Sequence, residues 1–212
     1  LIVTDKNVDI HNYKELLRCL FDNIEISSDV YFAKGTLDVL DHAASNFAFG
    51  GKMFLDATRK FSAERTLENQ FKKSPSLEEV KQVLSGFSDI KNINFSLIKE
   101  GFPVIIASVI KTKKNSIRSI ANEMCSYTIA LPFCVIFVDY GVPIENLFIV
   151  TWVASGNIDP ARDCFILQNS QSKIFVIDAT IKTNLADNYT RLWPNILCMD
   201  KAIVETIDNK WK

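Results

Sequence analysis

Histidine occurs only twice in this chain and glycine seven times, and no apolar run reaches the length of a membrane span. The longest, Tyr127 to Val138, is broken by Pro132 and falls short of the ~20 residues a spanning helix needs. No GxGxxG segment occurs, which removes the usual support for dinucleotide binding. The five cysteines (Cys19, Cys125, Cys134, Cys164 and Cys198) form no CxxC pair. They read as reduced, mostly buried thiols rather than a zinc or redox site. Neither sign of charge dominates, with 24 Lys and Arg against 25 Asp and Glu, so nothing in the bulk charge favours nucleic acid. No secretory leader is recognisable, and we expect a cytoplasmic protein. The chain opens on Leu1-Ile-Val without a Met, and we expect it to be a piece of a longer polypeptide. What is abundant is apolar surface. At 48% hydrophobic residues, the chain can bury a core without disulfides or metals.

The sequence contains a repeat. Asp5-Lys-Asn-Val-Asp-Ile-His-Asn12 matches Asp139-Tyr-Gly-Val-Pro-Ile-Glu-Asn146 at an offset of 134 residues (Asp5 to Asp139). The same offset relates Asn23 to Asn157, Ile24 to Ile158 and Asp29 to Asp163. Asp56-Ala-Thr-Arg-Lys60 then matches Asp178-Ala-Thr-Ile-Lys182 at an offset of 122 (Asp56 to Asp178), so the second copy is shorter in between. A repeated unit is one supersecondary module used twice.

Each copy reads alike. A short apolar strand (Leu1 to Thr4; Cys134 to Val138) ends at Asp. Asn12 or Asn146 then caps a helix by accepting from its free N–H groups. In the first helix Tyr13, Leu16, Leu17, Leu20, Phe21 and Ile24 share one face. In the second, Leu147, Val150, Thr151 and Ala154 do so. A turn follows (Glu25 to Ser28; Asp159-Pro160), then strands Val30 to Phe32 and Met53 to Leu55, or Cys164 to Leu167 and Ile174 to Ile177. The expected fold is α/β: layered sheet and helices with a duplicated strand–helix–strand–strand unit. Three stretches result: residues 1–60 as the first unit, 61–88 as a helical connector, and 89–212 as the second unit with added strands and a C-terminal tail. Ser74-Pro75-Ser76 with Glu79 marks a helix start. Ile93 to Ile98 and Val104 to Ile110 read as strands, and Asn115 opens a helix with Ile117, Ile120, Ala121 and Met124 inward.

Few residues are candidates for chemistry. Gly50-Gly51-Lys52 fails the phosphate-loop pattern, because Asn46 stands at the first glycine position and Met53 at the Ser/Thr position. It reads as a bend before a strand, with Lys52 a candidate contact. His42 follows Asp41 and could serve as a base tuned by a carboxylate, although adjacent side chains rarely aim at each other. The two Asp-Ala-Thr-x-Lys segments offer Asp56, Thr58 and Lys60, and Asp178, Thr180 and Lys182, either as turn and interface fixers or as substrate contacts. Arg162 beside Asp163 reads as a turn-stabilising bidentate pair. Trp193 and Trp211 lie in a tail that reads as irregular and docked.

Taken in order, these motifs resemble the carboxy-terminal end of the UbiD family of prenylated-flavin-dependent decarboxylases. Copy one carries the resemblance through Asp5 to Asp9, Leu40-Asp41-His42-Ala43, Gly50 to Met53 and Asp56 to Lys60. Copy two carries it through Trp152 to Asp163 and Asp178 to Lys182. Arg191-Leu-Trp193-Pro194-Asn195 and Asp208-Asn-Lys-Trp211 resemble the longer branch associated with menaquinone synthesis. Copy two departs from copy one at Pro143, which stands where copy one has Asp9, and it has no counterpart of Asp41-His42. The resemblance implies that the catalytic Glu–Arg–Glu network, prenylated FMN and a divalent metal belong to an N-terminal flavin domain of the same polypeptide, with none of them held by this chain. It implies a homo-oligomer in which this portion assembles subunits and closes one side of the substrate cleft. It further implies decarboxylation of an aromatic acid in menaquinone or ubiquinone synthesis, a dihydroxynaphthoate or a prenylated 4-hydroxybenzoate. The alternatives carried forward are a free-standing small-molecule binding module, or an enzyme using Asp41, His42 and Lys60.

Overall fold

The computed structural model describes residues 1–64, 76–114, 116–127, 133–169, 173–195 and 199–211. Ser74, Pro75, Asn115, Pro132 and Cys198, named above, lie outside them. The first unit comprises β1 (Ile2–Val3), α1 (Tyr13–Asn23), α2 (Ile26–Asp29), β2 (Val30–Thr36) and β3 (Phe49–Asp56). Then come α3 (Leu77–Ser85), β4 (Ile90–Asn94), α4 (Ser96–Lys99), β5 (Val104–Val109) and α5 (Ser116–Ser126). The second unit comprises β6 (Cys134–Asp139), α6 (Leu147–Asn157), α7 (Pro160–Asp163), β7 (Cys164–Gln168) and β8 (Lys173–Asp178). α8 (Asn184–Asp187) and α9 (Lys201–Lys210) follow.

The duplication is structural as well as sequential. The described strands form two sheets, β1-β3-β2 and β4-β5-β6-β8-β7. In the first, Ile2 lies opposite Leu55 in a parallel pair, and Val30 lies opposite Leu55 in an antiparallel one. In the second, Ile136 lies opposite Ile177 in parallel and Cys164 opposite Ile177 antiparallel. These are the pairs that the two sequence offsets map onto each other, so both sheets share one register. Local details repeat too. Asn12 Oδ1 accepts from Glu15 N and Asn146 Oδ1 from Ile149 N, and each such cap is worth about 1 kcal/mol. The offset falls from 134 to 122 between β2 and β3, where Leu37–Ala48 form the longer connection of the first unit.

Alternation along the strands sets the layers. On one face of the second sheet Val135, Phe137, Ile174 and Val176 pack against Ile117, Ile120, Ala121 and Met124 of α5 and Val80, Val83 and Leu84 of α3. Burying a side chain of this size contributes about 1.5–3 kcal/mol. The opposite faces of both sheets meet the helices between the units. Leu20 and Ile24 of α1 cover Leu55, while Ile26 of α2 packs among Cys134, Cys164 and Phe175 of the second sheet. α7 returns the contact, since the Asp159 carboxylate at its N-terminus accepts from Gly51 N of β3 at 2.9 Å. The units are therefore joined reciprocally, each by its one-turn helix.

Several expected boundaries move, each for a local reason. The strand expected over Ile93 to Ile98 ends at Asn94, whose Oδ1 accepts from Ser96 N at 2.7 Å and starts α4 instead. The turns expected at Glu25 to Ser28 and Asp159-Pro160 tighten into α2 and α7, because Asp29 and Asp163 accept from the N–H of Glu25 and Asp159 respectively. Gly50 and Gly51 lie inside β3 rather than at a bend before it. A Cβ on Gly51 would come inside 3.0 Å of Asp159 Oδ1 and Ala161 N, so the glycine is needed for close approach. The tail is partly regular, with α9 running from Lys201 to Lys210 and Trp211 exposed rather than docked.

Replacing Gly51 by Ala is expected to cost about 2 kcal/mol or more in urea unfolding. Gly35→Ala is expected to be nearly neutral, because only the end of the Lys52 side chain lies near the added methyl group.

Candidate functional site

The candidate residues separate into two clusters and one isolated group. In the first unit Lys60 Nζ lies 3.2 Å from Asp29 Oδ1 and 3.0 Å from Asp56 Oδ2. Thr58 donates its N–H and Oγ1–H to Asp56 Oδ1. In the second unit Lys182 Nζ lies 3.7 Å from Asp163 Oδ1 and 3.1 Å from Asp178 Oδ1, and donates to the carbonyls of Asp178 and Thr180. Thr180 donates twice to Asp178 in the same way. Each Lys thus bridges the end of its unit's last strand to the closing Asp of its one-turn helix. In each copy the Lys pairs with the Asp four residues before it. Its second partner, Asp29 or Asp163, is supplied by chain folding.

Burial differs between the copies. The Lys60 side chain is 14% exposed and that of Lys182 only 1%. A buried carboxylate must be paired, because desolvation penalises its charge. Burial raises the Asp178 carboxyl, but Lys182, Lys111 and the Thr180 bonds outweigh it and hold the group below its ordinary value. At Asp163 burial prevails and pushes the carboxyl up, against the pull of Arg162 and Lys182. Arg162 holds Asp163 through two bonds of 2.7 Å and reaches Ser45 Oγ at 3.0 Å. The expected turn-stabilising pair is present, and it also touches the first unit.

Two members of the second cluster escaped the sequence reading. Lys111, just past β5, donates to Thr180 Oγ1, the Ile181 carbonyl and both oxygens of Asp187. Asp139, at the end of β6, accepts from Ile181 N. They lie beyond the carboxyl ends of parallel strands, where α/β sheets commonly bind ligands. Here that edge is filled by protein groups bound to one another. The repeat pointed to Asp139 through its match with Asp5, while Lys111 has no counterpart in it.

Asp41 and His42 form no pair. Asp41 Oδ1 accepts from Ala44 N, and the His42 ring packs edge-on against Trp193, with centroids 4.9 Å apart. The carbonyls of Asp41, His42 and Ala44 accept from Arg191 and Tyr189. The loop is therefore the seat of the segment Tyr189 to Trp193. Lys60 shares none of these partners, so the trio Asp41, His42 and Lys60 is not assembled. Lys52 is exposed on β3. Cys125, Cys134 and Cys164 are poor nucleophiles where they lie. Burial pushes Cys134 up to about 12 and Cys125 up to about 11, and it raises Cys164 as well. Among the described residues no group of three or more His, Cys, Asp or Glu could hold a metal ion. No described helix is long and apolar enough to cross a membrane. The glycine pair does not fit a flavin phosphate, because a carboxylate already occupies the Gly51 N–H.

The arrangement defines a pair of ionic clamps in a duplicated α/β domain. Residues 1–57 and 71–181 match the model of the 3-octaprenyl-4-hydroxybenzoate carboxy-lyase C-terminal domain, and the chain belongs to this UbiD family. Proteins of two Helicobacter pylori strains, both described as uncharacterised, are 26% identical over 216 residues, covering 99% of this chain and 32% of their own length. An uncharacterised Aquifex aeolicus protein is 39% identical over 64 residues, 30% of this chain and 13% of its own. The chain thus spans about a third of the length of its Helicobacter pylori relatives. Among solved structures, the open form of Sedimentibacter hydroxybenzoicus vanillic acid decarboxylase aligns with a TM-score of 0.49 and 13% identity, over 87% of this chain and 44% of that one. An evolved dimeric form of the UbiD-class enzyme HmfF from Pelotomaculum thermopropionicum, in complex with prFMN, aligns with a TM-score of 0.42 and 16% identity, over 85% and 44%.

Lys182→Met is expected to cost about 3–5 kcal/mol in urea unfolding, because it takes the paired cation from the buried Asp178 carboxylate. Lys60→Met is expected to cost less, since water reaches that clamp. Asp178 has a lowered carboxyl pKa, so its stabilisation is complete above its ordinary value and is lost as pH falls through the lower folded value. Asp178→Asn should therefore flatten the acid limb of the urea-midpoint profile below about pH 4.

Proposed function

We propose that this chain is the C-terminal oligomerisation and cleft-closing portion of a UbiD-type aromatic-acid carboxy-lyase acting in quinone biosynthesis in the cytoplasm. The observation that carries the reading is the family match over residues 1–57 and 71–181, in a chain whose charged candidate residues hold one another. On this reading prenylated FMN and a divalent metal are held by an N-terminal domain of the same polypeptide. When bound there, the flavin supplies the electron sink for loss of carbon dioxide. The substrate is an aromatic acid, a dihydroxynaphthoate or a prenylated 4-hydroxybenzoate. The part played by this chain is mechanical. Its clamps fix the carboxyl ends of the sheets, and the loop over Leu37–Ala48 is held against the Tyr189 to Trp193 segment.

Assembly into a homo-oligomer has its own support. Ile203, Val204 and Ile207 of α9, with Trp211 just beyond, are exposed at helical spacing. Such a stripe needs cover from a further surface.

The test is carbon dioxide release from a panel of aromatic acids by the full polypeptide loaded with prenylated flavin, beside the isolated chain. Turnover by the full polypeptide alone is expected. Turnover by the isolated chain would overturn the reading, as would a strictly monomeric full polypeptide in light scattering. Replacing Ile203 and Ile207 together by Glu is expected to lower the assembled mass, measured by the same light scattering.

A further inference from the structure

The loop over Leu37–Ala48 is held largely from outside. Its own bonds are local. Asp38 Oδ1 accepts from Leu40 N and the Asp38 carbonyl from Asp41 N, which closes a turn, and Asp41 Oδ1 accepts from Ala44 N. Further donors come from α7 and from the segment after α8. Arg191 Nη1 donates to the Ala44 carbonyl at 2.7 Å and to the Asn46 carbonyl at 3.4 Å, and its Nη2 donates to the Asp41 carbonyl at 3.1 Å. Tyr189 donates its hydroxyl to the carbonyls of His42 and Ala44. Arg162 Nη1 reaches Ser45 Oγ. A guanidinium suits this task, because its N–H groups are fixed in a planar fork and meet three carbonyls at once.

The base of this clasp is firm. Lys111 holds Asp187 of α8 at 2.8 Å. The helix ends at Asn188, whose left-handed backbone turns Tyr189 inward, where it is buried. Trp193 packs edge-on against the rings of both Tyr189 and His42. The loop is instead strained. Ala48 has φ 54°, a left-handed conformation that a Cβ disfavours and that glycine ordinarily takes. The Ala48 carbonyl accepts from Leu37 N at 2.9 Å, so the strained residue closes the foot of the loop. Backbone of this kind persists only where its surroundings fix it, and it gathers in segments that switch.

We infer that Leu37–Ala48 is a two-position loop, that Tyr189, Arg191 and Trp193 form the clasp holding it against the strain at Ala48, and that Arg191 is the release point. In the held position the loop presents Val39 and Leu40, both exposed, at a fixed place on the surface. Losing the guanidinium takes donors from three carbonyls together, and Ala48 then relaxes to an ordinary backbone conformation. None of the carbonyls of Asp41, His42, Ala44 and Asn46 belongs to β2 or β3, so release is confined to the loop.

The experiment is hydrogen exchange of the full polypeptide, read by mass spectrometry on a peptide spanning residues 37–48, with peptides over 104–109 and 134–139 as controls. Arg191→Gln is expected to speed exchange of the loop about tenfold or more and to leave both controls unchanged. Tyr189→Phe, which keeps the ring and removes the hydroxyl, is expected to speed the same peptide by a smaller factor. Ala48→Gly is expected to slow it about threefold or more, because the left-handed backbone is then unstrained. Added to Arg191→Gln, Ala48→Gly is expected to restore part of the lost protection. Unchanged loop exchange in Arg191→Gln overturns the inference, as does a loss of protection that spreads to the controls, since Arg191 would then support the whole fold. Exchange in Ala48→Gly that is unchanged or faster also overturns it, because the loop would then store no strain for the clasp to oppose.

Discussion

An ammonium group held between two carboxylates closes each half of this protein, and most of the surrounding geometry follows from it. The one-turn helix must end at Asp29 or Asp163 so that its carboxylate can reach both the N–H of the residue just before the helix and the lysine. The last strand must end at Asp56 or Asp178, where Thr58 or Thr180 completes the carboxylate's shell of donors. Burying such charges is costly unless every oxygen and proton is met. The ionic set therefore demands a defined backbone on both sides of it. The two copies satisfy that demand with different neighbours. Ser28 assists Asp29 in the first, and Arg162 assists Asp163 in the second.

This constraint shapes the carboxyl ends of both sheets. Lysines and aspartates at the carboxyl ends of parallel strands are placed where a ligand would be expected, yet here they are one another's partners. The chain, a member of the UbiD family, joins its halves through reciprocal helix contacts and a carboxylate-to-backbone bond.

Much of the fold was legible in the sequence because duplication supplies its own alignment. Two offsets carried the register of both sheets, the Asn12 and Asn146 caps, and the pairing of Asp-Ala-Thr with Lys. What stayed hidden depends on contacts between distant segments. Lys111 carries no local signal and acquires its role only when Asp187 folds back to it. Gly50 and Gly51 read as a bend because nothing local reveals that α7 will press on a strand there. The end of β4 was misplaced because an Asn side chain that stops a strand looks the same in sequence as one that continues it. Asp41 and His42 drew notice as neighbours in sequence, whereas their backbone carbonyls, which carry no sequence signature, make the contacts that matter.

The dozen residues from Leu37 to Ala48 are what the second copy does without, and they are also what Tyr189, Arg191 and Trp193 grasp. Two identical halves would have presented the returning chain with two equivalent berths and no way to choose. The longer connection breaks that degeneracy. It gives a duplicated scaffold a single orientation.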